Sequence, residues 1–258
     1  MISLKPTCKV FFILFLNCFL FCTAQDSEKD NTGKVPQEEQ VLVFTKTNGY
    51  RHKSIETGVE LIKKLGNENN FKVVHTEDSL QFNTSNLSKY KVVLFLSTTM
   101  DVLGDEQQQA FKKYIQNGGS FMGIHAASDT EYGWPWYGKL VGAYFVSHPN
   151  NPNVRKATIQ ILDKSHVSTQ MLPGKTWERN DEWYNFKDIN PDIHVLLNLD
   201  ENSYEGGENG EHHPIAWYHE FDGGRAFYIG GGHTIESYSE PLFVAHVLGG
   251  LTYCLGRD

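Results

Sequence analysis

Three runs, Val41-Leu42-Val43-Phe44-Thr45, Val92-Val93-Leu94-Phe95-Leu96 and Ser120-Phe121-Met122-Gly123-Ile124, are apolar almost without a break. A strand exposed to water on one face alternates apolar and polar residues; a continuous apolar run marks one covered on both faces. Helical spacing lies between the runs. Ile55, Val59, Ile62 and Leu65 follow Ser54, and Asp105 to Asn117 turns Ala110, Phe111, Tyr114 and Ile115 to one side before Gly118-Gly119 stops it. Phe71-Lys72-Val73-Val74 reads as a further strand. Strands alternating with helices predict a mostly parallel α/β sheet with helices on both faces.

In such sheets ligands bind beyond the carboxyl ends of the strands. Thr45 to His52, Ser97-Thr98-Thr99 and His125 to Asp129 occupy those ends, and all three are polar. The second half is less regular. Lys156 to Leu162 and His194 to Leu199 read as strands, Pro214 to Phe221 and Arg225 to Ile229 as a hairpin about Asp222-Gly223-Gly224, and Glu240 to Leu255 as a closing apolar helix.

The first 24 residues carry Lys5 and Lys9, an apolar run from Val10 to Cys22 broken by Asn17, and small residues before Gln25. This pattern predicts a secretory signal peptide over 1–24, a polar tether over 25–40, and one domain over 41–258. The apolar run is shorter than the ~20 residues that span a bilayer, so the mature chain is expected in the periplasm or outside the cell, with no integral span. Bulky Phe21 argues against a lipidated Cys22. Cys8, Cys18 and Cys22 leave with the signal, so Cys254 has no partner for an internal disulfide. The net charge of −8 becomes more negative when the two lysines are removed, which disfavours nucleic acid as a partner.

Candidate chemistry gathers at the strand ends. Gly123-Ile124-His125-Ala126-Ala127 has the shape of a nucleophile elbow with His in the nucleophile slot. His125 is therefore expected to act as a base, an acid or a metal ligand rather than to form an acyl intermediate. His233 follows Gly230-Gly231-Gly232, and Glu236 lies three residues on, within reach to orient it. Asp129 to Gly138, with Trp134 and Trp136, and Asp181-Glu182-Trp183-Tyr184 combine carboxylates with aromatic planes, which suits a sugar. Adjacent acids on an extended segment point to opposite sides, so one of Asp181 and Glu182 is expected to face the site. His52, His125, His148, His213 and His233 are enough imidazoles for a divalent metal, although neither HExxH nor CxxC spacing is present. His212 and His219 read as surface residues.

Taken in order, Thr47 to His52, Gly123 to Asp129, Gly133-Trp134-Pro135-Trp136-Tyr137, Asp181 to Tyr184, His213-Pro214-Ile215-Ala216-Trp217 and Gly230 to Thr234 resemble the ThuA-like (trehalose utilisation) family. The resemblance covers about residues 40–257. It implies a flavodoxin-like sandwich of the class I glutamine-amidotransferase type. His125 stands where amidotransferases place Cys, so glutaminase activity is not implied, and His233 with Glu236 corresponds to their catalytic His. Family members are associated with sugar dehydrogenases that oxidise a ring hydroxyl to a ketone. The expected substrate is accordingly a small carbohydrate, a 3-keto-glycoside. His125 or His233 would take the C2 proton, and a metal or His213 would stabilise the enediolate, leading to elimination or isomerisation.

The expected catalytic set is His125, His233, Glu236 and Glu182. Substrate contacts are expected from His52, Asp129, Trp134, Trp136, Trp183, Tyr184 and Trp217, and a divalent metal would fall to His125, His213 and His148. Two other readings remain open: a carbohydrate-binding module without turnover, and a glycosidase using Asp129 and Glu182 as its two carboxylates.

Overall fold

A computed structural model describes residues 1–3 and 38–258. The expected signal segment and tether fall outside these residues except at 1–3 and 38–40. Among the described residues, no helix is long and apolar enough to cross a membrane.

The first half runs β1 (Gln40–Phe44), α1 (Ile55–Glu68), β2 (Lys72–Thr76), a short α2 (Thr84–Leu87), β3 (Val92–Leu96), α3 (Asp105–Gln116) and β4 (Ser120–Ile124). The expected elements are all present. α3 buries the four residues named for it, Ala110, Phe111, Tyr114 and Ile115. The second half adds α4 (Pro135–Val141), β5 (Tyr144–Ser147), β6 (Val154–Ile161), β7 (Thr176–Glu182), β8 (Asn185–Lys187), β9 (His194–Asp200), β10 (Pro214–Phe221), β11 (Gly224–Ile229) and α5 (Pro241–Leu255).

Nine described strands form one sheet in the order β2-β1-β3-β4-β11-β10-β9-β6-β7. Its first five strands are mutually parallel. Their order is the doubly wound 2-1-3-4-5 arrangement, with its switch point between β1 and β3. From β10 onward every pairing is antiparallel, so the irregular second half is a sheet extension. β5 and β8 form a separate two-stranded ribbon.

Alternation along the buried strands sends side chains to both faces. On one face Phe44, Phe95 and Phe121 meet Phe82, Phe111 of α3 and Tyr137 of α4. On the other, Phe227 of β11 packs against His246 and Tyr253 of α5. The β10–β11 hairpin turns at Asp222 and Gly223, both with positive φ, the geometry of a type I′ turn.

Sequence reading missed β7. Its inward positions are Trp177, Arg179 and Asp181, and two charged residues conceal the period-2 pattern. Arg179 and Asp181 are tolerated inside because they neutralise each other at 2.8 Å. His219 also departs from expectation: it is buried, with Nε2 3.0 Å from the Lys139 carbonyl.

Candidate active site

His125 occupies the turn immediately after β4, and its backbone sits in the left-handed region at φ 53°. A β-carbon makes that region costly. The turn holds the imidazole under the sheet end, fully buried, with Nδ1 2.9 Å from the Gly230 carbonyl. That oxygen only accepts, so Nδ1 carries a proton and Nε2 is the ring atom turned to the site. The Tyr184 ring covers the imidazole, centroids 4.2 Å apart.

His233 follows β11 and the glycine run. Its Nδ1 stands 3.3 Å from His125 Nε2 and 2.9 Å from Glu182 Oε2. Glu182, at the end of β7, also reaches His125 Nε2 with Oε2 at 3.4 Å. Asn153 donates to Glu182 Oε1 at 2.7 Å. His52, beyond β1, completes the group: its ring is edge-on to His125 and His233, with centroids 4.7 and 5.2 Å away. One ligand atom from each of His52, His125, Glu182 and His233 lies within 4.8 Å of all the others.

Electrostatics follow from this packing. Burial raises the Glu182 pKa, but hydrogen bonds from His125 and His233 outweigh it and hold the carboxyl well below the usual range. Burial, reinforced by His125 and His233, pushes His52 down to about 2, so it is a neutral imidazole. Its Nδ1 is buried without a hydrogen-bond partner.

The glycine run is held from beneath by Asp181. One carboxylate oxygen accepts from the Gly232 amide at 2.8 Å, and the other from the His233 amide at 3.0 Å. A β-carbon on Gly231 would sit 2.5 Å from Arg179 Nη1, and Gly232 has φ +111°. Glycine is what lets the chain pass this close to the buried ion pair.

Solvent reaches the group through two imidazoles. The side chain of His233 is 17% exposed and that of His148 is 28% exposed, against 4% for Glu182. His148 Nδ1 lies 2.9 Å from the Pro149 carbonyl and 3.6 Å from Glu182 Oε1. Half-buried Asp129 accepts a 2.6 Å hydrogen bond from Tyr132. Burial raises its pKa, against the opposing pull of that hydrogen bond.

Of the expected residues, the structure brings together His125, His233, Glu182, His52 and Tyr184, with Asp129 and His148 nearby. Several others lie elsewhere. Glu236 is exposed on a short 3-10 turn, and Glu182 makes the contact to His233 expected of it. His213 is buried with both ring nitrogens engaged, Nδ1 with Glu201 at 2.7 Å and Nε2 with the Tyr184 carbonyl at 2.8 Å, so it is no part of a metal-ligand set. His52, expected to touch substrate, is inside the cluster instead.

None of the four tryptophans expected at the site joins this cluster. Trp183 and Trp217 are fully buried and donate to the carbonyls of Arg155 and Val141. Trp136 donates to Asp222 in the β10–β11 turn and Trp134 stacks on it. That turn is at the far end of β11 from His233, roughly 20 Å away at 3.3 Å per residue. Glu131 spends its carboxylate on the amides of Val102 and Leu103. Sequence reading missed Asn153 and the Asp181 platform; only the Asp-Glu pair hinted at the latter.

Known proteins agree with this architecture. A ThuA-like protein from Bacteroides uniformis superposes with a TM-score of 0.72 at 22% identity, covering 89% of this chain and 96% of that one. A second, from Parabacteroides merdae, gives 0.64 at 18% identity, with 85% and 91% covered. A β-galactosidase from Bacillus circulans shares the fold at 0.53 and 14% identity, over 85% of this chain but 31% of that one. Comparison with curated proteins finds no match. The family model described as trehalose utilisation matches residues 40–254, and the chain belongs to this family, ThuA.

Proposed function

We propose that the chain is an exported carbohydrate-processing enzyme that cleaves 3-keto-glycosides by acid–base elimination. The observation that carries this reading is the convergence of three imidazoles on one carboxylate, Glu182, at the carboxyl ends of the strands. The family's link to trehalose utilisation supports a glycoside substrate, and the elbow position holds an imidazole rather than a hydroxyl or thiol. The N-terminal pattern supports export.

A ketone at C3 acidifies the C2–H bond. Fully buried His125 cannot reach a sugar carbon, and His233 is tied to Glu182. The base assigned here is His148, whose Nδ1–H is fixed by the Pro149 carbonyl, leaving Nε2 free to accept a proton. As that proton leaves, its electron pair forms the C1=C2 bond and the C1–O bond to the leaving sugar breaks. Asp129, whose carboxyl burial keeps protonated to higher pH, gives the departing oxygen its proton. Water then adds at C1, so the net change is hydrolysis. His233, the part-exposed member of the cluster, holds the C3 oxygen during enolisation, and His52, His125 and Glu182 hold His233 in place.

The test is turnover of 3-keto-glycosides and of their unoxidised parents. Cleavage of the oxidised sugars alone, lost in His148→Ala and His233→Ala, is expected. Wild-type rates in both variants, or equal activity on unoxidised glycosides, would sink the assignment.

A further inference from the structure

We propose that His52, His125, His233 and Glu182 hold one divalent transition-metal ion. The inference rests on the carbohydrate reading only for what the ion would do, not for whether it binds.

Geometry is the first support. At ligand distances of about 2.1 Å, neighbouring donors around a tetrahedral ion sit about 3.4 Å apart. The separations among His125 Nε2, His233 Nδ1 and Glu182 Oε2 are 3.3, 3.4 and 2.9 Å. His52 supplies a fourth atom within 4.8 Å of each.

Hydrogen-bond satisfaction is the second. His125 turns its Nδ1–H to Gly230 and presents Nε2 to both Glu182 and His233. His52 adds a buried Nδ1 with no partner. Orphaned buried polar atoms are uncommon, and an ion absent from a structure is one of their ordinary causes.

The surroundings are the third. Ligating imidazoles usually give their other N–H to a carbonyl or carboxylate, which fixes ring orientation. Gly230 does this for His125, Asn153 steadies Glu182, and Asp181 fixes the His233 backbone. Three imidazoles and one carboxylate without a thiol suit Mn, Fe, Co, Ni or Zn in the divalent state. A ketone and its neighbouring hydroxyl are hard oxygen donors on adjacent carbons, the class of ligand that would add to the four protein donors if the coordination number rises.

The experiment uses the purified full chain, stripped with chelator and titrated with Co(II), Zn(II) and Mn(II). We expect one ion per chain by elemental analysis, a raised Tm, and imidazole-rich ligation by X-ray absorption on the Co(II) form. His125→Ala and Glu182→Gln should each weaken binding ~100-fold or more, whereas His213→Gln should keep full stoichiometry. If either ligand variant misfolds, the absorption spectrum of the wild-type Co(II) form still decides, because fewer than three imidazoles around the ion would overturn the site. A folded wild-type chain that takes up none of the three ions at millimolar concentration would also overturn it. Turnover of 3-keto-glycosides by metal-free protein would overturn the ion's part in the chemistry and leave the sugar reading standing. Metal uptake without turnover would support the centre and remove the sugar reading.

Discussion

Asp181 and Glu182 are adjacent on β7 and serve one site from opposite sides. Asp181 accepts from the amides of Gly232 and His233, and Glu182 meets the imidazoles of His125 and His233. One carboxylate sets where the glycine-run backbone lies, and the next engages the groups that backbone carries. The expectation that a single member of the pair faces the site is right for direct contact and incomplete for architecture.

The two carboxylates should therefore fail differently. Asp181→Asn leaves Arg179 with only the part-exposed Glu240 as counter-charge, and breaking a buried pair costs up to about 3–5 kcal/mol. Urea unfolding should show a loss of that size. Glu182→Gln keeps the volume and should leave the unfolding midpoint of the metal-free protein close to wild type while lowering kcat on 3-keto-glycosides by ~100-fold or more. Equal stability loss in both variants would contradict this division.

The tryptophan placement makes a second prediction. Trp136→Ala removes a ring whose hydrogen bond is to Asp222, far from His233. Its KM for the sugar should stay within about twofold of wild type. A large KM rise without a stability loss would return Trp136 to the binding surface.

Stability should fall as pH drops below neutrality. Burial pushes His246 down to about 4 from an unfolded value near 6.5. Between these values the unfolded chain binds a proton that the folded chain refuses, so unfolding gains ground as pH falls through that window, by up to ~1.4 kcal/mol per pH unit. His166 and His219 are lowered by burial too and act in the same direction. Urea midpoints at pH 7.5 and 5.5 should differ accordingly, and His246→Gln should flatten the slope. An unchanged slope in that variant would exclude His246 as a source.

Gly249 tests packing against propensity. Alanine gains about 1 kcal/mol over glycine within a helix. At Gly249 of α5 its β-carbon would lie 2.2 Å from the Ser168 Cα, a backbone contact that no rotamer can relieve. Overpacking of this kind costs about 1–3 kcal/mol or more, so Gly249→Ala should lower Tm. A rise in Tm would mean that the Ser168 segment moves freely away.

The parallel half of the fold was legible because its strands are covered on both faces and so read as unbroken apolar runs. β7 was illegible because Arg179 and Asp181 replace the apolar residues that mark an inward face, and their compensation is visible only in three dimensions. At the site, His125 and His233 were legible from position alone, each one step past a buried strand. The His233 partner was misread for a physical reason: three residues is a short reach along the chain, but the 3-10 turn carries Glu236 outward while β7 brings Glu182 in. The aromatic stretches are legible only in part: Tyr184 covers His125, but composition cannot tell a ring that stacks on a ligand from one that fills the space beneath a loop.

The sheet order has a consequence for when the chemistry comes into being. His52 and His125 stand on the parallel half, whereas Glu182 arrives on the last strand of the antiparallel extension. That extension meets the parallel half through β11, whose pairing with β4 sets Ala226 against Phe121, so the centre depends on contacts that must first meet the entropy of closing long loops. A chain with only its first five strands assembled would contain a stable-looking core and no working centre, so activity would report completion of the whole sheet rather than formation of its nucleus.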